Sequence, residues 1–192
     1  MAAKHTLPVV NREIPPTEAQ LEVIARCMSY NPRTGKVIWI DKVGPRSQAR
    51  IGREVGYQAN TGYRRVAFRL EGERREYAVH RIAWFLHYDE WPAFELDHIS
   101  RVKNDNRICN LRLSTIPVNN LNVGIKKNNK SGYRGVCWNK KERKWKAKAN
   151  LDNRGVCLGS YDDLEEASLV VEDFYKKMYG EHYISPYAEQ TI

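Results

Sequence analysis

The sequence holds no apolar run long enough to cross a membrane, and its opening residues, MAAKHTLPVV, lack the extended apolar stretch of a secretory signal. The expectation is a cytoplasmic protein with no membrane partner. Cysteine is scarce: Cys27, Cys109, Cys137 and Cys157 form no C-x-x-C pair. That spacing argues against a thiolate zinc site and for reduced, packed thiols. Acid is short too, with 23 Asp/Glu against 32 Lys/Arg, a formal charge of +9. What is present is ample for folding. An apolar content of 42% over 192 residues builds one ordinary domain or two small ones.

The charge excess is local. From Gly124 to Arg154 eleven Lys/Arg (126, 127, 130, 134, 140, 141, 143, 144, 146, 148 and 154) meet only Glu142 and Asp152. The whole formal surplus lies in this segment, and the rest of the chain balances. So concentrated a patch fits a polyanion, most often nucleic acid, although a solvated lysine-rich hairpin has the same composition.

Periodicity organises the chain further. Residues before Thr17, with Pro8, Pro15 and Pro16, read as an arm. Thr17-Glu18-Ala19-Gln20 fits a capping box, and Leu21, Ile24, Ala25 and Met28 follow on one helical face. Asn31-Pro32-Arg33-Thr34-Gly35 turns the chain into a strand at Val37–Ile40, and 41–60 reads as a loop. Val66, Phe68 and Leu70 alternate with polar or small neighbours, Glu71-Gly72-Glu73 turns, and Tyr77 and Val79 resume, which predicts a hairpin. His80 to Leu86 reads as a buried helix closing before Glu90-Trp91-Pro92.

After a polar linker at 128–132, three strands are expected at 133–140, 143–151 and 155–161. The middle one alternates without fault, placing Trp145, Ala147, Ala149 and Leu151 on one face and Lys144, Lys146, Lys148 and Asn150 on the other. Asp162-Asp163 caps a helix with Leu164, Ala167, Val171, Phe174 and Met178 at helical spacing. That helix covers the apolar face and leaves the lysines outward; Trp138 and Trp145 fall on the apolar side, where core packing is favoured over base stacking.

Between these parts lies LDHISRVKNDNRICNLRL, residues 96–113, rich in amides and charges around one Asp-His pair. Short strands at 96–99 and 111–113 flank a polar loop, and Pro117 starts a helix that Gly124 can end, with Asn119, Asn120 and Asn122 on it. Phosphodiester hydrolysis needs a base for water and a cation for the leaving oxygen. His98, with an ordinary pKa near ~6.5, suits the first role. Asp97 and an asparagine carbonyl are hard oxygen ligands suited to magnesium or manganese. Neighbouring strand residues point to opposite sides, so Asp97 and His98 need a bend to serve one site.

The runs V-H-R-I-A-W-F-L-H (79–87), E-W-P (90–92), L-D-H-I (96–99) and N-D-N-R-I-C-N-L-R (104–112) together resemble the HNH endonucleases, especially phage-borne and homing members. The resemblance implies a ββα-metal fold, His98 as general base and Asp97 as a ligand of a divalent metal, Mg2+ or Mn2+. It also implies that Asn110 is the middle asparagine that holds the loop. The last motif position falls at Asn119, with Asn120 and Asn122 as neighbouring candidates, which makes an H-N-N version. Phage-borne members work in the cytoplasm of a bacterial host.

Y-R-G-V (133–136), K-W-K-A (144–147) and L-G-S-Y-D-D-L-E-E-A (158–167) resemble the ethylene-response-factor type of DNA-binding domain. That resemblance implies a sheet laid in the major groove. Arg134 keeps one of its base-reading positions, whereas Cys137, Asn139 and Cys157 replace others. Lysine contacts to phosphate are salt-sensitive and blind to sequence.

The expected molecule is therefore α+β: a ββα-metal HNH region followed by a three-stranded antiparallel sheet packed on one helix. Its expected parts are an arm, helix and loop region (1–60), an endonuclease region (61–127, core about 95–124), a linker (128–132), a DNA-binding domain (133–183) and a tail (184–192). Expected DNA contacts are Arg112, Lys126, Lys127, Arg134, Lys144, Lys146, Lys148 and Asn150, on double-stranded DNA, with a monomer sufficing for a nickase. The rival reading is a DNA-binding regulator with an inactive HNH relic. An RNA-binding module finds no RNP-like aromatic motif to support it.

Overall fold

Thr17 opens the first helix because its side chain accepts from the Gln20 backbone N–H while the Gln20 side chain accepts from the Thr17 N–H, the reciprocal pair of a capping box. The computed structural model describes residues 14–44, 47, 51–70, 73–151 and 154–187. Most of the expected arm, the Glu71-Gly72 turn and the end of the tail lie outside the described residues. The chain divides into two compact units, one running to Ser114 and the other from Thr115 to Thr191.

In the first unit, α1 (Glu18–Cys27) stops one residue earlier than its apolar spacing suggests. Met28 is extended and begins β1 (Met28–Asn31), which pairs antiparallel with β2 (Lys36–Trp39). The turn supplies the reason: the Asn31 side chain accepts from the Arg33 and Thr34 N–H groups, and Gly35 takes φ +71°. Met28 thus faces the core as a strand residue.

The segment after β2 is irregular but not idle, since Val55 is fully buried and Glu54 bridges to Ile38. A three-stranded sheet follows in the order β3 (Tyr57–Gln58), β4 (Arg64–Leu70), β5 (Glu73–Ala78). Helix α2 (Val79–Tyr88) buries Val79, His80, Arg81, Ile82, Ala83 and Phe85, so most of its circumference lies in the core with Ile24, Val37, Val66 and Tyr77. Asp89, in the left-handed region, ends it.

Arg81 does the positioning. Only 2% exposed, its guanidinium donates to the carbonyls of Pro92 (2.7 Å) and Phe94 (3.2 Å) and lies 5.6 Å from the Trp91 ring centroid. That fixes the chain entering β6 (Glu95–His98), which pairs with β7 (Leu111–Ser114) in a two-stranded ribbon.

The second unit begins with α3 (Ile116–Leu121), capped by Thr115 and ending at Asn122. The order strand, strand, helix is the expected one, but the helix belongs to this second unit. Its Leu121 packs against the same core as the C-terminal sheet, and the Arg134 guanidinium grips the carbonyls of Leu121 and Val123. The division therefore falls ahead of the 128–132 segment.

The sheet order is β10-β9-β8, all antiparallel, with β8 at Val136–Asn139, β9 at Lys144–Leu151 and β10 at Arg154–Tyr161. Helix α4 (Leu164–Tyr179), capped by Asp163, lays Ala167, Val171 and Tyr175 over Val136, Ala147 and Ala149. Two details differ from the helical pattern. Met178 is 45% exposed, and Tyr175 takes the inward position, its hydroxyl accepting from the Asn150 N–H at 2.9 Å. Trp138, expected in the core, is on the apolar side of edge strand β8 but 44% exposed.

Gly135 sits where the unit is tightest. Its φ is +71°, and a Cβ there would lie 2.2 Å from the Lys148 carbonyl oxygen. Gly135→Ala should lower stability by about 2–3 kcal/mol through backbone strain and loss of the Lys148 N–H to Gly135 carbonyl bond. Thermal or urea unfolding measures it; an unchanged midpoint would show that the loop before β8 relaxes freely.

Candidate active site

A twelve-residue, largely polar loop between two four-residue strands cannot be held by the ribbon alone, because its backbone groups need partners. Asn110, fully buried, supplies them. Its Oδ1 accepts from the Ser100 N–H and its Nδ2 donates to the Asp105 carbonyl, both at 2.7 Å, while its own carbonyl accepts from Ile99 N–H. The loop also braces itself through Arg107, whose Nε and Nη2 form a two-pronged pair with Asp105 at 2.8 and 2.6 Å. That pairing holds the Asp105 carboxyl below its ordinary pKa.

This bracing sets the surroundings of His98. The imidazole is 3% exposed, with Nε2 3.0 Å from Asn106 Oδ1. Asn106 is itself buried, and its carbonyl accepts from the Tyr30 hydroxyl at 2.8 Å. An amide oxygen only accepts, so Nε2 carries the proton and Nδ1 is the basic nitrogen of neutral His98. The His98 ring packs edge-on against His80 (centroids 5.1 Å apart) and tilts against Tyr63 (5.7 Å). Lys103 covers the Tyr63 ring at 4.9 Å and donates to the Thr61 carbonyl.

Burial drives the electrostatics. It lowers the His98 pKa, against the opposing pull of the Asn106 bond and of Asp97. It lowers that of His80 far more, with His98, Arg81 and Arg65 adding like-charge repulsion. Both rings are therefore neutral at neutral pH, the state a proton acceptor requires.

Asp97, also buried, faces Arg112 across the ribbon, and its Oδ2 accepts from Arg112 Nε (3.0 Å) and Nη2 (2.7 Å). Arg112, expected on DNA, thus commits its guanidinium to Asp97. Among the described residues no group of three or more His, Cys, Asp or Glu gathers to hold a metal. One carboxylate with amide oxygens is nevertheless a donor set that fits a hard, largely hydrated divalent cation. Asn119 is half-buried on α3 and Asn122 is the buried cap of that helix, both in the second unit.

In that unit Lys146 and Lys148 line the side of β9 opposite Ala147 and Ala149, with exposed Asn150 beside them. Lys144 shares that side but pairs with Asp162 at 3.1 Å. Lys126 and Lys127 are exposed. Arg134, expected with the lysines, turns its guanidinium to the Leu121 and Val123 carbonyls instead.

Sequence reasoning passed over Asn106 and Tyr63. Tyr63 had no periodic or motif signal; Asn106 lies inside the N-D-N-R-I-C-N-L-R run without an assigned role, and only the folded loop shows that, eight residues after His98, it bonds the ring.

Residues 77–121 match the family model described as HNH endonuclease. A solved structure reported as "DNA binding and cleavage by the HNH homing endonuclease I-HmuI" aligns with 22% identity and a TM-score of 0.36, over 50% of this chain and 50% of that one. The chain thus spans half the length of that protein. No curated protein matches the chain.

The two neutral histidines make a stability prediction. Each has a folded pKa below its unfolded value near ~6.5, so the unfolded chain takes up protons first as pH falls. Stability should be full above that value and decline below it. His80→Phe should flatten the acid slope by up to about 1.4 kcal/mol per pH unit, the linkage of one proton. Urea unfolding between neutral pH and pH 5 checks this; an identical slope in the variant would mean that His80 titrates normally in the fold.

Proposed function

We propose that this chain is a metal-dependent endonuclease of the HNH type that hydrolyses phosphodiester bonds in double-stranded DNA. The observation that carries the reading is His98: a buried, neutral imidazole, oriented by Asn106 on a loop that Asn110 closes, inside the segment matching the HNH endonuclease model. His98 takes a proton from the attacking water at Nδ1. The new bond forms to phosphorus as the bond to the 3′ oxygen breaks, and that oxygen takes a proton from solvent, leaving 5′-phosphate and 3′-hydroxyl ends. Asn110 holds the loop that keeps the imidazole in place.

The motif gives the metal-ligand roles to Asp97 and to its last position, Asn119. A magnesium or manganese ion bound there would supply positive charge for the leaving oxygen. Asp97 would meet it with a carboxylate already desolvated and held by Arg112. The C-terminal sheet, on its resemblance to ethylene-response-factor domains, would hold the duplex through Lys144, Lys146, Lys148 and Asn150, with Lys126 and Lys127 gripping adjacent phosphates. The homing-type resemblance favours a nicking or cutting enzyme, and a monomer would suffice for nicking.

A second reading has one observation in its favour. The Asp97–Arg112 pair already satisfies the carboxylate with a cation, as it would in a DNA-binding regulator whose nuclease part has lapsed. Supercoiled plasmid separates the two. The endonuclease should nick or linearise it with magnesium and not with chelator, and His98→Ala should lose cleavage by at least about a hundredfold while binding DNA as before. Binding without any metal-dependent cleavage would leave the regulator. Cleavage by His98→Ala at the unsubstituted rate would remove His98 from the mechanism.

The lysine face has its own test. Changing Lys144, Lys146 and Lys148 together to alanine should make the slope of log affinity against log salt shallower by ~1.8–2.7, at ~0.9 per phosphate contact. The lower end corresponds to Lys144 remaining with Asp162. An unchanged slope would show that these lysines are merely solvated.

A further inference from the structure

The second unit has a concavity of about 680 Å³ on the side of the sheet away from Lys146 and Lys148, formed where the segment following α3 passes edge strand β8. Its floor is apolar, from Leu121, Val123, Ile125, Val136, Trp138 and Trp145. Lys126, Lys130, Arg134 and Lys140 are its basic members, and no acidic residue lines it. We infer that this concavity is a second DNA contact, which receives one unstacked nucleotide with its base against Trp138 and its phosphate among Lys126, Lys130 and Lys140.

Three observations carry this. Trp138 is 44% exposed whereas Val136 on the same face is buried, and it meets the half-buried Trp145 edge-on with ring centroids 5.0 Å apart and planes at 65°. The indole is thus braced by one aromatic neighbour with much of its surface bare, an arrangement suited to stacking a planar ring. The cations divide by task. Arg134 spends its guanidinium on the Leu121 and Val123 carbonyls, which shapes the wall. Lys126, Lys130 and Lys140 are exposed, and none forms an ion pair among the described residues.

An apolar floor with an all-basic rim complements a ligand with a flat hydrophobic part and negative charge, which is the chemistry of a nucleotide. A paired base cannot take the place, since its faces are stacked on neighbouring pairs; a displaced one can. The site also lies around the edge of the strand that borders the lysine face. A duplex held by one face therefore has a strand passing near the other.

The inference takes its partner, DNA, from the endonuclease reading but not its chemistry, so binding is measured in chelator, where nothing is cut. The probes are a fully paired duplex and the same duplex with one unpaired 2-aminopurine, titrated with the full-length chain. The unpaired probe should bind about tenfold tighter, within what one base–aromatic stack contributes, and its fluorescence should be quenched on binding. Trp138→Leu should bind both probes alike without quenching, whereas Trp138→Phe should keep most of the preference. The exposed triple change Lys126→Gln, Lys130→Gln and Lys140→Gln leaves the apolar floor in place and should reduce the preference severalfold; it serves if Trp138→Leu fails to fold. Equal affinity of the unsubstituted chain for the two probes overturns the inference, as does a full preference in folded Trp138→Leu or in the lysine triple. Plasmid cleavage is scored separately. A chain that nicks without preference keeps the nuclease and loses this site; one that prefers the unpaired base without nicking does the reverse.

Discussion

Asn110 has no solvent contact, and both ends of its amide are used to close the loop between β6 and β7. A buried amide left half-satisfied costs ~1–3 kcal/mol for each missing bond, so the side chain and the loop define each other. What depends on this closure is the His98 environment. Asn106, which bonds the imidazole, lies inside the loop, and its carbonyl is taken by Tyr30 of the β1–β2 hairpin. That hairpin packs hard against the loop: a Cβ on Gly35 would stand 2.6 Å from the Arg107 nitrogen. The N-terminal hairpin thus buttresses the site from outside the motif.

Adjacent residues on a strand face opposite ways, and the ribbon resolves this for Asp97 and His98 by giving each its own partners. Asp97 meets Arg112 across the strand pair, while His98 meets Asn106, His80 and Tyr63. Both are desolvated, with opposite consequences. The carboxylate is burdened with a charge that needs a cation nearby, which Arg112 provides. The imidazole avoids charge altogether, its pKa lowered by burial. Such a division suits chemistry in which one group takes a proton and the other answers positive charge.

Much of this was legible beforehand where a residue's role is set by its neighbours in sequence. The Thr17–Gln20 box, the alternation of β9 and the Asp163 cap are local patterns, and each appears at its expected place. Legibility fails where a long-range contact decides. Met28 could continue the helix by spacing, but the Asn31 turn pairs it with Trp39. Arg134 lies in the basic segment and Arg112 in the HNH-like run, and the fold gives one to backbone carbonyls and the other to a buried carboxylate, partners that no local pattern announces. Asn106 lies in the motif run but nothing there marks its role, since its partner is reached only through the loop's closure. Charge composition identifies how many cations a segment has, not which of them the fold has already committed.

That distinction decides what the second unit can do. Its segment carries the chain's formal excess of +9, but the charges are not equivalent once folded. Lys144 shares its charge with Asp162 and Arg134 is built into the wall beside β8, whereas Lys146 and Lys148 remain on the sheet face and Lys126, Lys130 and Lys140 on the rim around Trp138. Two groups of uncommitted cations on either side of one thin sheet are poorly explained by solubility, since scattered lysines would serve it as well. A duplex is wide relative to a three-stranded sheet whose strands stand ~4.8 Å apart, and a strand displaced from it needs a second, aromatic surface. On the proposed reading, the lysine face would supply sequence-blind grip. On the same reading, the Trp138 corner would discriminate only by whether a base has left the stack, and the specificity it would add is DNA deformability rather than base-edge reading.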